Sequence, residues 1–115
     1  FMNVMDAFVA RYNPQGQKLW ATYLGGNQFT DAAYGVAADA QGNVYVCGVS
    51  ISSDFPTTPQ AFKKFGFGGS AFLSKINPSG SAFVYSTFLD QTQQAANAVV
   101  VDAQGHAFVC GNHMA

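Results

Sequence analysis

All six acidic residues of this chain are aspartates, and the sequence assigns a structural role to some of them but not to others. Asp39 and Asp102 each open an Asp-Ala-Gln-Gly turn, where the aspartate side chain caps its own turn. Asp31 and Asp54 are freer, so we predict them as ligand-binding residues. Carboxylate oxygens suit Ca²⁺, and paired carboxylates can hydrolyse a glycoside. Because Asp31 and Asp54 each stand alone in sequence, we predict no metal site and no cofactor.

Three aromatic side chains are further candidates for ligand contact. Trp20, the only tryptophan, could stack on a sugar ring. Phe65 and Phe67 lie in the stretch Phe-Gly-Phe-Gly-Gly and could anchor a contact loop, or they could pack over the edge of a sheet. We expect Phe55 and Phe62, from the same segment, to pack inward.

Nucleophilic catalysis has little support in the sequence. A serine or cysteine nucleophile needs a histidine placed against it as a base. His106 follows a turn, His113 has no partner in the pattern, and there is no His-x-x-x-His pair. The Cys-Gly-Asn-His sequence that begins at Cys110 lacks the second cysteine of a haem motif. We therefore predict no catalytic residue, and a protein that is not an enzyme.

The charge of the chain argues against two classes of partner. The formal net charge is −1 and 10% of the residues are charged. A nucleic-acid binder needs a basic face to replace counterions, and a polybasic membrane anchor needs clustered lysines. No apolar run approaches the roughly 20 residues of a spanning helix. A weakly charged surface favours a secreted or cell-surface protein.

The elements that position these residues are repeated, because the sequence copies itself. Three segments occur twice: Asp6–Gly16 as Ser70–Gly80, Leu19–Leu24 as Val84–Leu89, and Tyr34–Gly48 as Asn97–Gly111. A single period of about 64 residues explains all three, and a period of this kind indicates a propeller or an array. Trp20 is equivalent to Tyr85, which favours packing of Trp20 between repeats. Cys47 is equivalent to Cys110, and we expect two buried thiols that lie too far apart for a disulfide.

Each period holds four short strands bounded by Gly, Pro and Asn, with no helical periodicity. The turns Asn13–Gly16 and Asn77–Gly80 have type I chemistry, as do the two Asp-Ala-Gln-Gly turns. The predicted strands are 7–12, 18–24, 33–39, 43–49, 70–76, 82–89, 98–102 and 106–111. Residues 98–101 are apolar at every position, as expected of a strand covered on both faces. We therefore predict an all-β fold.

At these residues the chain resembles the SBBP family of bacterial β-propeller repeats. The segments that carry the resemblance are Asp6–Arg11 with Asn13-Pro14, Thr22–Gly26, Tyr34–Asp39 with Gly42–Val46, and Ser53–Pro59 with Ala61-Phe62. Cys47 and Cys110 depart from it, because threonine is more typical there. The resemblance implies a propeller of four-stranded antiparallel blades, with about two blades per chain. In residue numbers, 6–26 is a half blade, 33–89 a full blade and 97–111 a second half blade.

A pair of blades cannot close a ring, so we expect other copies or a longer parent chain to complete it. Three copies would give six blades and four copies eight. The first functional interpretation is a non-enzymatic structural or interaction module, a homo-oligomer that presents a loop-rich face. The alternatives are a carbohydrate-binding propeller and a hydrolase whose site is shared between chains. The family carries no catalytic signature that would decide between them.

Overall fold

The computed structural model describes residues 5–26, 30–65, 69–89 and 93–113. These residues form eight β-strands, and none of the described ranges contains a helix that could cross a membrane. The strands are β1 (Ala7–Tyr12), β2 (Lys18–Leu24), β3 (Asp31–Ala38), β4 (Val44–Ser50), β5 (Ser70–Ile76), β6 (Phe83–Phe88), β7 (Gln93–Val101) and β8 (Ala107–His113). The prediction of an all-β fold is confirmed.

The strands form three antiparallel sheets of two, four and two strands. The N-terminal sheet is β1–β2, the central sheet is β3–β4–β5–β6, and the C-terminal sheet is β7–β8. Within each sheet, strands that follow one another along the chain pair with one another. Tight turns join the pairs β1–β2, β3–β4, β5–β6 and β7–β8, whereas a long connection joins β4 to β5.

Two strands begin earlier in the chain than the sequence predicts. β3 begins at Asp31 rather than at residue 33, and β7 begins at Gln93 rather than at residue 98. The register shifts between Ala33 and Gly35 in β3, and between Ala96 and Ala98 in β7. Such bulges let pairing continue past an extra residue, which a strict alternation of side chains does not predict.

The turns form as their residues predict. The backbone N–H groups of Gln41 and Asn43 donate to Asp39 Oδ1 at 3.0 and 2.9 Å. The turn glycine that follows, Gly42, has a φ of 88°, a left-handed conformation that glycine adopts without steric cost. The N–H groups of Gln104 and His106 bind Asp102 Oδ1 in the same way.

One hydrophobic core lies between the N-terminal and central sheets. Its buried residues are Ala7, Val9, Leu24, Val44, Val46, Phe55, Phe72, Ile76 and Phe88, and Trp20 packs against them. The aromatic ring of Phe55 stands 4.5 Å from that of Phe72 and 5.5 Å from that of Phe88, measured between ring centroids. The N-terminal sheet is therefore fixed on one face of the central sheet.

A second core lies between the central and C-terminal sheets. Its buried residues are Tyr45, Cys47, Ala71, Leu73, Ala96 and Val99. Here β3 and β7 come very close, because a Cβ at Gly35 would lie 2.9 Å from the Cα of Ala98. The central sheet is thus covered on both of its faces, each by a two-stranded sheet.

The long connection between β4 and β5 covers the outer edge of β6. Thr58 donates its N–H to the carbonyl of Ser86 at 3.0 Å, and Phe88 donates to the carbonyl of Lys63 at 3.0 Å. Covering an edge strand in this way prevents unwanted pairing. Phe55 packs inward as predicted, but the prediction for Phe62 is wrong, because its side chain is exposed. The connection runs along the edge at this point and turns Phe62 outward.

Candidate interaction surfaces

The outer face of the N-terminal sheet is apolar and exposed. Phe8 and Tyr23 are cross-strand partners on this face, and they are 66% and 78% exposed. Their equivalents in the central sheet, Phe72 and Phe88, are 0% and 1% exposed. The exposed fractions differ because another sheet covers this face of the central strands. Among the described residues, no sheet covers the corresponding face of β1 and β2.

The outer face of the C-terminal sheet shows the same contrast. Phe108 is 58% exposed, whereas its equivalent Tyr45 is fully buried. Cys110 is exposed, whereas its equivalent Cys47 is buried. The expectation of a buried thiol is therefore right for Cys47 and wrong for Cys110. Val100 is exposed, so β7 is covered on one face rather than on both as its apolar run predicts.

Two neighbouring grooves run between β1 and β3, and the buried residues Val44 and Val46 of β4 also line them. Their volumes are about 380 Å³ and about 340 Å³. Phe8, Tyr12 and Val36 line them, and all three side chains are more than half exposed. Exposed apolar side chains therefore lie between β1 and β3.

A groove of about 200 Å³ lies beside β8, on the other side of the central sheet. Ala71 and Leu89 of the central sheet and Val109 and Cys110 of β8 line it. The strand equivalent to β8 in the central sheet is β4, and there β5 of the same sheet fills the corresponding space beside it. The groove beside β8 is therefore the counterpart of the grooves beside β1.

The first predicted ligand residue, Asp31, is used internally. Its buried carboxylate accepts hydrogen bonds from the hydroxyl groups of Ser50 and Ser52 and, at 3.1 Å, from the N–H of Gly26. Burial raises the pKa of Asp31, the hydrogen bonds from Ser50, Ser52 and Gly26 oppose the increase, and the nearby charge of Asp6 adds to it. The carboxylate joins three segments of the chain.

The structure brings Asp54 close to Asp31, although the two are far apart in sequence. Both side chains face the Gly25-Gly26 pair: a Cβ at Gly25 would lie 2.9 Å from Cγ of Asp31, and a Cβ at Gly26 would lie 2.9 Å from Cγ of Asp54. Glycine at these two positions makes the close approach possible. In the described part of the chain, no three His, Cys, Asp or Glu side chains form a group that could hold a metal ion.

Trp20 packs between two sheets, as its equivalence to Tyr85 predicts. It is half-buried, and its indole Nε1–H donates a hydrogen bond to the carbonyl of Pro78 at 2.9 Å. Pro78 belongs to the β5–β6 turn of the central sheet. The side chain therefore joins the N-terminal sheet to the central sheet.

The remaining aromatic candidates lie on the β4–β5 connection. Phe65 is exposed, as is Phe62. Phe67 lies outside the described residues. Phe62 and Phe65 therefore lie on the surface of the β4–β5 connection.

The strongest apolar surfaces were not among the residues predicted to bind ligand. Phe8, Tyr12, Tyr23 and Phe108 alternate along strands, which is the pattern of ordinary core residues. The signal that could have found them is their position in the incomplete outer copies of the repeat. Exposed apolar patches of this extent indicate an interaction surface.

Comparison with known proteins agrees with the fold and its repeat. No curated protein matches the chain. A family model does match, over β2, β3 and β4, so that the matched segment begins in the N-terminal sheet and ends in the central one. The predicted resemblance is confirmed for this segment: residues 19–56 match the family model of the SBBP beta-propeller repeat.

Proposed function

We propose that the chain is a non-enzymatic building block of a β-propeller, an interaction module completed by further copies of itself. In this proposal the central sheet is one four-stranded blade. The C-terminal sheet supplies the inner half of a second blade, and the N-terminal sheet of another copy supplies the outer half.

The single observation that carries the proposal is the contrast in exposure between equivalent residues. Phe72 and Phe88 are buried in the complete sheet, and Phe8 and Tyr23 are exposed in the incomplete one. Burying one such aromatic side chain contributes about 1.5–3 kcal/mol. The exposed face of the N-terminal sheet thus carries aromatic residues at the positions that are buried in the central sheet. Such a face is suited to burial against another copy of the chain.

The free strand edges support the same proposal. Among the described residues, β1 pairs with β2 alone and β8 pairs with β7 alone. Each leaves a row of unpaired backbone groups, which invites pairing with another chain. The outer edge of β6, in contrast, is covered by the β4–β5 connection.

The contact between copies is heterologous, because β8 of one copy meets β1 of the next. Heterologous contacts close into a ring when the rotation between copies allows it. Propellers use about 4–8 blades, so three copies with six blades or four copies with eight would form a closed ring.

The side of the ring with the long connections is the proposed binding face. Phe62 and Phe65 are exposed there on a connection that is fastened to β6. Loops held by a rigid scaffold commonly carry binding residues. A ring would repeat this surface in every copy, so that a weak contact with a protein partner gains avidity.

Sedimentation velocity of matched variants tests the proposal. Phe8→Asp removes an exposed aromatic residue from the proposed junction, and we expect it to shift the chain toward the monomer without unfolding it. Phe62→Asp is the control, since Phe62 is equally exposed but lies on the β4–β5 connection. If Phe8→Asp and Phe62→Asp sediment alike, the junction is not where we propose it.

A glycan array separates the interaction module from a carbohydrate-binding propeller. We expect no repeated sugar hits for the wild-type ring. Consistent hits that disappear in a Phe65→Ser variant would favour carbohydrate binding over a protein partner.

A further inference from the structure

The pairing of β4 with β5 is an internal template for the pairing of two copies. In the central sheet, Tyr45 lies opposite Lys75 and Cys47 lies opposite Leu73. The Lys75 ammonium group stands 5.2 Å from the centre of the Tyr45 ring and 4.0 Å from Asp39 Oδ2. One cation thus contacts an aromatic ring and a carboxylate at the point where β4 meets β5.

The residues equivalent to this arrangement occur in the chain but lie on separate sheets. Arg11 of β1 is equivalent to Lys75, whereas Phe108 of β8 and Asp102 are equivalent to Tyr45 and Asp39. Arg11 and Phe108 are exposed, and the Arg11 guanidinium donates to the carbonyl of Pro78 at 3.0 Å. Arg11 and Phe108 therefore lie on the two strand edges that a junction would join.

We infer that β8 of one copy pairs with β1 of a second copy in one fixed antiparallel register, which places Phe108 opposite Arg11 and Cys110 opposite Val9. This inference rests on the proposed self-assembly and specifies its geometry. Arg11 then contacts the Phe108 ring and the Asp102 carboxylate of the neighbouring copy, as Lys75 contacts Tyr45 and Asp39 within the central sheet.

The remaining pairs of this register are compatible with one another. Gly111 comes opposite Phe8, as Gly48 lies opposite Phe72 in the central sheet. At the end of the strands, His113 comes opposite Asp6, a carboxylate that can accept a hydrogen bond from the imidazole ring. A slip by one residue would turn every apolar side chain to the wrong face, so the register is strongly specified.

Chemical cross-linking reads this register directly, because Cys110 is exposed and lies opposite a defined residue. In a Cys47→Ala background, Val9→Cys should form a disulfide with Cys110 of the next copy under mild oxidation. Directly opposed Cα atoms lie about 4.5–5.5 Å apart, within the range of a disulfide. The central sheet separates Val9 from Cys110 within one chain, so the cross-link can form only between copies.

Two neighbouring cysteine variants serve as register controls. Ala10→Cys lies one residue along β1 on the opposite face, and Ala7→Cys lies two residues along on the same face. We expect Val9→Cys to give cross-linked multimers on a non-reducing gel at more than roughly tenfold the yield of either control, since diagonal neighbours are about 7–8 Å apart.

A charge exchange provides a second test that needs no disulfide. Arg11→Glu brings a carboxylate beside Asp102 of the next copy, and we expect the assembly to weaken by roughly tenfold or more in its dissociation constant. Adding Phe108→Lys should recover much of this loss, because it restores an opposite charge across the strands. Both side chains are exposed in the single chain, so the fold should survive even though Arg11→Glu also removes the hydrogen bond to the Pro78 carbonyl.

The outcomes separate the register from the self-assembly. Cross-linking through Val9→Cys together with recovery in the double variant supports the register. An assembly of the expected mass that cross-links best through Ala7→Cys or Ala10→Cys, or not at all, overturns the register and leaves the proposed function standing. A chain that remains a monomer in every variant overturns both.

Discussion

The indole ring of Trp20 lies directly on Gly80, in the β5–β6 turn of the central sheet. A Cβ at Gly80 would come within 2.6 Å of Trp20 Cε3, and the φ of Gly80 is 73°. The Trp20 Nε1–H also donates to the carbonyl of Pro78 in the same turn. This contact adds to the hydrophobic core that holds the N-terminal sheet on the central sheet.

Gly80→Ala should destabilise the chain more than the matched change Gly16→Ala. Both glycines close equivalent turns with a positive φ, and a Cβ in that conformation costs roughly 1–2 kcal/mol. Nothing lies within 4 Å of a Cβ at Gly16, whereas Gly80→Ala must also displace Trp20. We expect the additional cost to be about 1–3 kcal/mol, as for other overpacked sites. Urea unfolding measures both variants; equal losses would show that the ring moves aside freely.

Trp20→Ala should reduce folding stability rather than the affinity for a ligand. The side chain is half-buried, so we expect a loss of up to about 3 kcal/mol, at the lower end for large aromatic residues. Trp20→Phe keeps much of the packing and removes the hydrogen bond to Pro78, for roughly 1 kcal/mol. Chemical unfolding separates the two. A Trp20→Ala chain as stable as the wild type would contradict the packing role.

Asp31→Asn should remove part of the pH dependence of stability. The pKa of Asp31 is raised in the folded chain, above all by burial, so folding favours its protonated form. Its contribution to stability is therefore fully present below the unfolded pKa of about 3.9 and is lost as the pH rises through the folded pKa. Relative to Asp31→Asn, the wild type should lose free energy of unfolding as the pH rises from about 4 to 7.

The comparison with Asp31→Asn is necessary because Asp39 titrates in the opposite sense. Although burial alone would raise the pKa of Asp39, hydrogen bonds from Asn43, Tyr45 and Gln41 lower it. Asp39 therefore contributes stability that is lost as the pH falls. Subtracting the free energy of unfolding of Asp31→Asn from that of the wild type at each pH isolates the contribution of Asp31. A difference that is constant with pH would mean that Asp31 is not perturbed by its surroundings.

Ala98→Gly should strengthen the contact between copies while weakening the sheet that carries it. Gly35 is the residue equivalent to Ala98 in the repeat, and within the chain it faces the Cα of Ala98 with no room for a Cβ. At the proposed junction Ala98 takes the place of Gly35 and faces Gly35 of the next copy. The Cβ of Ala98 would then lie too close to that neighbouring strand. Glycine relieves this contact but costs about 0.5–1 kcal/mol within a strand. Sedimentation equilibrium should show tighter assembly, and unfolding of the dissociated chain should show lower stability. Weaker assembly would contradict the equivalence of the two interfaces.

The strands and turns of this fold could be predicted because their signals are local. Asn13 and Asp39 each bind the backbone that follows them within four residues, so a short stretch of sequence determines the turn. The bulge at Gly35 escaped prediction, because a close approach between β3 and β7 is a property of two sheets and not of either strand. The start of β7 at Gln93 escaped prediction because its pairing with β8 continues past two shifts of register.

The candidate surface was harder to predict than the fold. Phe8 and Phe72 have the same residue type and similar neighbours in sequence, and what covers them decides their exposure. Asp31 seemed free because its contacts, the hydroxyls of Ser50 and Ser52 and the backbone N–H of Gly26, come from other parts of the chain. Asp54 seemed free because the residue that it approaches, Gly26, is also distant in sequence. Contacts between residues that are distant in sequence decide whether these side chains are exposed or buried. A local sequence pattern therefore does not predict it.

The mass of the native protein in solution tests the central claim most directly. The chain has a mass of 12.2 kDa. Native mass spectrometry over a dilution series measures the mass of the assembly, and hence the number of chains in it, without assuming a shape. We expect one discrete assembly of three or four chains. A folded chain that stays at 12.2 kDa at every concentration would contradict the proposal that copies complete one another.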